Sequence, residues 1–501
     1  MIAVGILRWY QNYQREEIEN FILSRGVSIS TGEISNLSEE FLVRFYSLHK
    51  HHVNQMNACF EKNGGYRLHL DGTGEPGNEI VFMAKDGATG ITLDAQTMTS
   101  ENTQFITTFL QALKVSYGTP IVIVRDMSKQ IRDAATEVFP DVMQQICHYH
   151  FVKNLGNILF KKRYAAFRKN IVNTRILSQL KQMNDGRFMG KSRDSDSILF
   201  VAERQWITLA IEHILNGREQ VSNYPFILPY LGIMDNILVI HRWNKQILNW
   251  NLSHDIYCQE IVEFSEKLDV ITGNTEIFNQ FTAINKIWSW FEKVREILRV
   301  GRHLSQKGCE PTMCGNSQRI KQDLMAALSD IDDEGIVSGV ELSKAAKQLT
   351  SNCRIHVDEL FVEVKDRSGN VVEIVRDNNI EERGHRWSRM HIRRRTGRTK
   401  TTNEMAYHGA LTAIFSNLEN MTYVSEVFSD VNDFPREIQN ITRDEIRESR
   451  LLIKPYVREK MIPSDSKRFE ILESFVDLLE QGGSIESWVL NLGKSDPLMT
   501  P

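Results

Sequence analysis

The chain has 501 residues, of which 41% are hydrophobic and 25% are charged; these values are typical of a globular protein with about three domains. No run of about 18 uncharged apolar residues occurs, so neither a membrane-spanning helix nor a membrane partner is expected. The formal net charge of −4 excludes a protein that is basic throughout and coats nucleic acid without selectivity, so any contact with DNA is expected at local basic patches.

Residues 14–62 have a helical pattern that a turn at Gly26 interrupts. After the turn, Ser30 and Glu33 have the spacing of a capping box, which predicts the start of a second helix. A helix, a turn and a capped helix follow one another in the helix-turn-helix motif, whose second helix can enter the major groove of DNA. A helical hairpin that only packs on the core is the alternative interpretation. If the motif binds DNA, the predicted contacts are Ser30, Thr31 and Asn36.

The pattern then becomes that of an α/β domain. Strands are predicted at 66–71, 79–84 and 90–97, a helix at 103–117 and a strand at 120–126. The last strand is apolar at successive positions, as expected for a strand buried on both faces. A helix near 129–139, a short strand and a helix from His150 complete the unit. This order predicts an α/β RNase H-like core, a mixed five-stranded sheet with flanking helices.

Helical patterns dominate the rest of the chain, where two strands at 359–365 and 370–376 are predicted to form a hairpin. Tryptophans 206, 243, 250, 288 and 290 are expected in the helical core rather than on a base-stacking surface. The predicted segments are a helix-turn-helix region (1–62), the first part of the core (63–160), a mainly helical insertion ending in a β-hairpin (161–380), a basic tract with an amphipathic helix that completes the core (381–424) and a helical tail (425–501).

Two aspartates are the first candidates for chemistry. Asp71 and Asp126 each end an apolar strand, and in the predicted sheet these strands are parallel neighbours, so their carboxylates meet at one edge. Paired carboxylates repel each other unless a cation lies between them, and their oxygens suit Mg²⁺ or Mn²⁺. Strand-terminating aspartates that merely start turns are the alternative interpretation.

Glu404 is the predicted third acid. It lies at the start of the late helix, on the face that the pattern turns toward the sheet, where an unpaired carboxylate is costly unless a metal binds it. A capping box between Thr401 and Glu404 would explain the same residue without catalysis. Other candidates for the third acid are Glu419 and the pair Glu381 and Glu382.

Cysteines and histidines offer weaker metal sites. Cys147 and His150 have C-x-x-H spacing, which is half of a zinc site without a second half nearby; a packing and hydrogen-bonding role is predicted instead. The spacing of Cys309, Cys314, Cys353 and His356 is irregular, so zinc is not expected there.

A basic tract precedes the Glu404 helix and is predicted to clamp DNA phosphates. A solvated loop is the alternative. The predicted contacts are Arg383, Arg386, Arg389, Arg393, Arg394, Arg395, Arg398 and Lys400.

The segments LHLDGT (68–73), VRDMSKQIRDAATEVFPD (124–141) and CHYHFVKNLGNI (147–158) resemble Mutator-like DDE transposases of mobile elements. The late segment 393–424 fits the family's glutamate region, and the resemblance covers about 14–424. It implies that Asp71, Asp126 and Glu404 are the DDE triad, that two Mg²⁺ or Mn²⁺ ions bind there, and that Cys147 and His150 are the family's C-x-x-H pair. Many relatives carry a cysteine-rich zinc module before the helix-turn-helix, whereas residues 1–13 of this sequence contain no cysteine.

The resemblance implies a transposase that cuts a phosphodiester at the element's ends and transfers the new 3′-hydroxyl into target DNA. The implied partners are double-stranded DNA, both terminal repeats and target, and further copies of the chain in a homodimer or larger assembly. An intracellular, DNA-associated location is predicted, in the cytoplasm and nucleoid or in the nucleus. A domesticated or inactive DNA-binding regulator and an RNase H-fold host nuclease are the alternative functions.

Overall fold

The structure is a computed structural model that describes residues 1–74, 79–98, 100–189, 198–216, 224–253, 259–300, 317–372, 374–376, 389–428 and 433–453. The chain divides into two compact units. The first contains residues 1–142, 366–370 and 378–501, and the second contains 143–365 and 371–377. No helix among the described residues is long and apolar enough to cross a membrane.

The first unit begins with four α-helices and a short π-helix at Ile6–Tyr10. The α-helices are α1 (Ile2–Gly5), α2 (Arg15–Leu23), α3 (Thr31–His51) and α4 (Val53–Lys62). Strands β1 (Arg67–Gly74), β2 (Ile80–Asp86) and β3 (Thr92–Met98), helix α5 (Thr103–Tyr117), strand β4 (Val122–Arg125) and helix α6 (Lys129–Val138) follow. After the second unit, the first continues with α15 (389–396), α16 (Thr402–Phe415), a 3₁₀ turn (Ser416–Glu419), α17 (Met421–Val427), α18 (Phe434–Asn440) and α19 (Arg443–Ile453).

The strands form a mixed five-stranded sheet in the order β3-β2-β1-β4-β5, where β5 is Gln144–Ile146. Strands β1, β2 and β3 are an antiparallel meander, and β4 lies parallel to β1. The predicted mixed five-stranded sheet with flanking helices is therefore confirmed. β1 runs past the expected end at Gly72 because its pairing with β2 continues to Gly74 opposite Ile80, whereas its pairing with β4 reaches only His69.

Helices cover both faces of β2. A Cβ on Gly409 of α16 would lie 2.5 Å from Val81, and Phe82 packs edge-on against Phe109 of α5 with ring centroids 5.4 Å apart. Since successive strand residues point to opposite faces, α16 covers one face and α5 the other. Helix α3 packs on α16, where Phe45 lies against Phe415.

Helix α16 departs from the amphipathic pattern expected for it. Its described residues from Gly409 onward are all buried, because the helix is enclosed by β2, β3 and α3. Such a helix has little solvent-facing surface, so an apolar stripe does not identify its buried face.

The second unit is mainly helical, as predicted for the insertion. Its helices are α7 (His148–Asn173), α8 (Ile176–Met189), α9 (Ile198–Asn216), α10 (Pro229–Ser253), α11 (Gln259–Thr272), α12 (Thr275–Ile297), α13 (Ser317–Val337) and α14 (Val340–Leu360). The predicted hairpin is much shorter than expected: β6 is Val364–Lys365 and β7 is Val371–Val372, since α14 continues to Leu360. Trp290 is buried as predicted, but Trp243 and Trp250 are exposed, so the expectation of core tryptophans is wrong for these two.

Candidate active site

Asp71 and Asp126 stand at the same level of two neighbouring parallel strands. The register pairs Arg67 with Val122 and His69 with Val124, and the same offset relates Asp71 to Asp126. Adjacent strands lie about 4.8 Å apart, so a continuation of this register brings the two carboxylates to one edge of the sheet. The sequence prediction that these aspartates end parallel neighbouring strands holds for Asp126, whereas Asp71 lies inside β1.

Backbone amides hold both aspartates. The N–H of Gly72 donates to Asp71 Oδ1 over 3.0 Å, and the N–H of Ser128 donates to Asp126 Oδ1 over 2.8 Å. The guanidinium of Arg125 donates to the carbonyl of Asp126, which fixes the chain just before α6. Asp71 is only 5% exposed, and a buried carboxylate requires such compensation.

Glu101 is an acid of this edge that the sequence analysis missed. A Cβ on Gly72 would lie 2.7 Å from Glu101 Oε1, so the absence of a side chain there lets the carboxylate approach β1. Burial, followed by the charge of Asp126, raises the pKa of Glu101; the charge of Asp71 adds to this, while a hydrogen bond from Ser128 opposes it. The only sequence signal was an acid between β3 and α5, which a solvated turn would equally explain.

Glu404 lies in a different local environment. Its Oε1 is 3.0 Å from His408 Nδ1, and its side chain is 23% exposed. Burial by itself would raise its pKa, but the hydrogen bond and charge of His408, with the charges of Arg395 and Arg8, outweigh burial and lower it. Thr401 makes no side-chain capping hydrogen bond, so the capping-box explanation of Glu404 is not supported.

In the structure, Asp71, Asp126 and Glu404 do not form a single metal-binding group. Among the described residues, no three His, Cys, Asp or Glu side chains form a group that could hold a metal ion. The carboxylate oxygens of Asp71, Asp126 and Glu101 are of the type that Mg²⁺ takes. The chemistry of these donors, but not their arrangement in this structure, therefore suits a hard divalent cation. Of the other candidates for the third acid, Glu419 is exposed in the 3₁₀ turn, and Glu381 and Glu382 lie outside the described residues.

The basic tract is heterogeneous. Arg389 is partly exposed, whereas Arg395 is only 3% exposed because it packs inward from α15. Arg383 and Arg386 lie outside the described residues. The exposed members are Arg393, Arg394, Arg398 and Lys400.

One of the two hydrogen bonds of the predicted capping box is present at the start of α3. Ser30 is the N-cap of α3, and its Oγ accepts from the N–H of Glu33 over 3.1 Å. Gly26 in the preceding turn has a φ of +84°, which favours glycine. Ser30 and Asn36 are exposed and Thr31 partly so, whereas the second half of α3 is buried in the core. Helix α3 is therefore exposed near its N-terminus and buried in the core over its second half.

Cys147 and His150 belong to the second unit. Cys147 is fully buried as the N-cap of α7, and the ring of His150 packs edge-on against Tyr149. The neighbouring His148 is also buried: its Nε2 lies 2.8 Å from the carbonyl of Leu360. Of the weaker zinc candidates, Cys353 is buried, and Cys309 and Cys314 lie outside the described residues.

Residues 81–154 match the family model described as the MULE transposase domain, which is consistent with a Mutator-like transposase and confirms the resemblance seen in the sequence. The matched segment includes Glu101, Asp126, Cys147 and His150; Asp71 and Glu404 lie outside it. No curated protein matches the chain.

Proposed function

We propose that the chain is a DNA transposase with an RNase H-like catalytic core, which cleaves a phosphodiester at the ends of a mobile element and joins the 3′-hydroxyl to target DNA. The observation that carries this proposal is the common level of Asp71 and Asp126 on adjacent parallel strands. The match of residues 81–154 to the MULE transposase domain supports the same function.

Asp71, Asp126 and Glu404 are the proposed ligands of two Mg²⁺ or Mn²⁺ ions. Bound metal would supply Lewis acidity at the attacking and leaving oxygens of the phosphodiester. Asp71 pairs with Met83 of β2, two residues from the Val81 that α16 covers. Because alternate strand residues share a face, Asp71 is on the face that carries the Glu404 helix, which supports Glu404 as the third ligand.

The exposed basic residues give this site a surface for the DNA backbone. Arg393, Arg394 and Lys400 lie within eleven residues before Glu404, and their role is to bind phosphates and hold the strand. The exposed start of α3, with Ser30 and Asn36, is the proposed second contact, in which a helix-turn-helix recognises the terminal repeat. Both proposed contacts with double-stranded DNA lie on the first unit. A homodimer or larger assembly on DNA is part of the same proposal.

Strand transfer is the experiment that separates this function from its alternatives. The purified chain is incubated with Mn²⁺, target plasmid and the DNA that flanks its gene, and the products are sequenced. A transposase cuts and joins, a host nuclease cuts without joining, and a DNA-binding regulator leaves both DNAs intact. Asp71→Asn should abolish both steps, whereas Asp133→Asn, an exposed aspartate of α6, serves as the matched control.

A further inference from the structure

A polar pocket lies beside Glu404 in the first unit. Its volume is about 330 Å³, far above the roughly 10–15 Å³ that a single water needs. Residues from the π-helix, α2, α3, α15 and α16 line it. Four of them are arginines: Arg8, Arg15, Arg395 and Arg398.

Arg395 is buried in the pocket wall with donors that have no acceptor. Its Nε and Nη2 atoms are buried without a hydrogen-bond partner, and its Nη1 reaches Asn12 only over 3.5 Å. The guanidinium lies 4.3 Å from the centre of the Trp9 ring, whose own N–H donates to the carbonyl of Ser38. A buried charged donor without an acceptor destabilises the folded chain, so an acceptor bound in the pocket would remove this penalty.

The other three arginines, Arg8, Arg15 and Arg398, add positive charge to the pocket. Arg8 donates to the carbonyls of Tyr13 and Arg395, neutral acceptors that do not cancel its charge. Arg15 and Arg398 are exposed at the pocket's rim. Within the described part of the chain, no ion pair joins any of the four arginines to a carboxylate.

Three carboxylates also line the pocket, those of Glu16, Glu39 and Glu404. Glu404 and Glu39 flank His408, at 3.0 Å and 3.8 Å from its two ring nitrogens, and they raise the pKa of His408 although burial opposes this. Glu16 is exposed in the first turn of α2. Two of the three carboxylates are therefore engaged by a histidine, and the four guanidiniums outnumber the acids.

We propose that this pocket binds a phosphate-class oxyanion, with the unpartnered Nε–H and Nη2–H of Arg395 as its central donors. A guanidinium edge presents two parallel N–H groups, which match two oxygens of a phosphate. Arg398 and Arg15 at the rim attract the anion and complete its coordination. The source is a free phosphate or a phosphate of DNA; only the second source depends on the proposed function.

Inorganic phosphate is the first probe, titrated into the full-length chain at constant ionic strength with chloride as the balancing anion. We expect phosphate to raise the melting temperature and to give a saturable heat in calorimetry. Arg395→Lys keeps a positive charge beside Trp9 but loses the two parallel N–H donors of the guanidinium. Phosphate should therefore bind about tenfold more weakly. A wild-type chain that phosphate stabilises no more than chloride does would overturn the proposal.

A second variant covers the case in which Arg395→Lys fails to fold. The double change Arg15→Gln and Arg398→Gln alters only exposed side chains and should also weaken phosphate binding. Arg436→Gln is the control, because Arg436 is an exposed arginine of α18 that pairs with Asp433. Equal phosphate affinity in the wild type, the double variant and Arg436→Gln would mean that the anion binds elsewhere, which also overturns the proposal.

Competition identifies the source of the oxyanion. If a short oligonucleotide displaces phosphate from the wild type, the ligand is a phosphate of DNA. If phosphate binds and the oligonucleotide does not compete, the pocket stands as a site for a free oxyanion and only the DNA source is rejected. Strand-transfer activity is scored separately, so a failure of the transposase proposal is distinguishable from a failure of the pocket.

Discussion

His408 holds the carboxylate of Glu404 across one turn of α16, with Nδ1 3.0 Å from Oε1. The nearby charges of Arg395 and Arg8 also favour the ionised glutamate. The carboxylate is thus kept ionised and oriented, the state in which it can bind a metal, without any capping role for the helix.

Glu404→Gln tests the third ligand. The amide keeps a hydrogen-bond acceptor for His408 but loses the charge that binds metal, so we expect cleavage and joining to be abolished. The lost charge beside Arg395 should lower the stability by about 1 kcal/mol, measured by urea unfolding. Glu426→Gln, at an exposed glutamate that pairs with Lys62, is the control. If the Glu404→Gln variant still cuts at the wild-type rate, the third ligand is another acid, and Glu419 should be tested next.

Glu101→Gln should have opposite effects with and without metal. The ionised Glu101 is destabilised by burial and by Asp126 and Asp71, so removing its charge should raise the melting temperature in EDTA. If Glu101 contributes to cation binding, the same change should reduce the rise in melting temperature that Mn²⁺ causes. Thermal unfolding with EDTA and with Mn²⁺ measures both effects. A lower melting temperature in EDTA with an unchanged Mn²⁺ response would assign Glu101 a purely structural role.

A crystal structure with Mg²⁺ tests whether Asp71 and Asp126 bind the same ion. We expect one ion with an oxygen of each carboxylate at about 2.0–2.1 Å, since the strand register already brings the residues to one edge. Isothermal titration of Asp126→Asn should show the loss of this site. An ion bound by one aspartate and not the other would contradict the two-aspartate site.

Arg393 and Arg394 are exposed and are the sharpest test of the DNA surface. Replacing both by Ala should weaken binding to duplex DNA and reduce the slope of log affinity against log salt by about 2, because each phosphate contact releases about 0.9 counterion. Fluorescence anisotropy over a salt series measures the slope. Arg436→Ala, on α18, should leave it unchanged. If the double variant keeps the wild-type slope, the two arginines do not touch the backbone.

Buried His49 predicts how stability depends on pH. Its ring nitrogens are engaged by Tyr423 and the carbonyl of Leu93, and burial, aided by the charge of Lys50, lowers its pKa from 6.5 to about 4. Above pH 6.5 the ring is neutral in both states; as the pH falls from 6.5 to about 4, only the unfolded chain takes up the proton. Stability should therefore fall over this window, by on the order of 3 kcal/mol from this group.

Urea unfolding between pH 7 and 4 (a range set by the usual histidine pKa of about 6.5) measures this loss. His49→Gln should have a shallower dependence on pH than the wild type, whereas the exposed His213→Gln should not. A wild-type stability that is flat over this range would show that His49 is not a buried neutral histidine.

Sequence determined the order of strands and helices in the first unit because local patterns decide such elements. The predicted helix at 103–117 agrees with α5, and the alternating residues after Tyr66 fall in β1. Asp126 was found for the same reason, since the end of an apolar strand is visible in the chain itself. Patterns are less informative where burial is not one-sided. Helix α16 is enclosed over most of its described length, and the sequence predicts a longer hairpin than β6 and β7 form.

Only the tertiary structure decided which charged residues are neighbours. Glu101 approaches Asp71 and Asp126 because the chain returns to β1 after β3, and Gly72 leaves room for its carboxylate. Arg395 is indistinguishable in sequence from Arg393 and Arg394, yet it is buried against Trp9, 386 positions earlier. A local hydrophobic pattern indicates which side of a helix or strand is apolar. The partner of a buried charge is set by contacts between residues that are distant in the chain, and no local period of the sequence encodes those contacts.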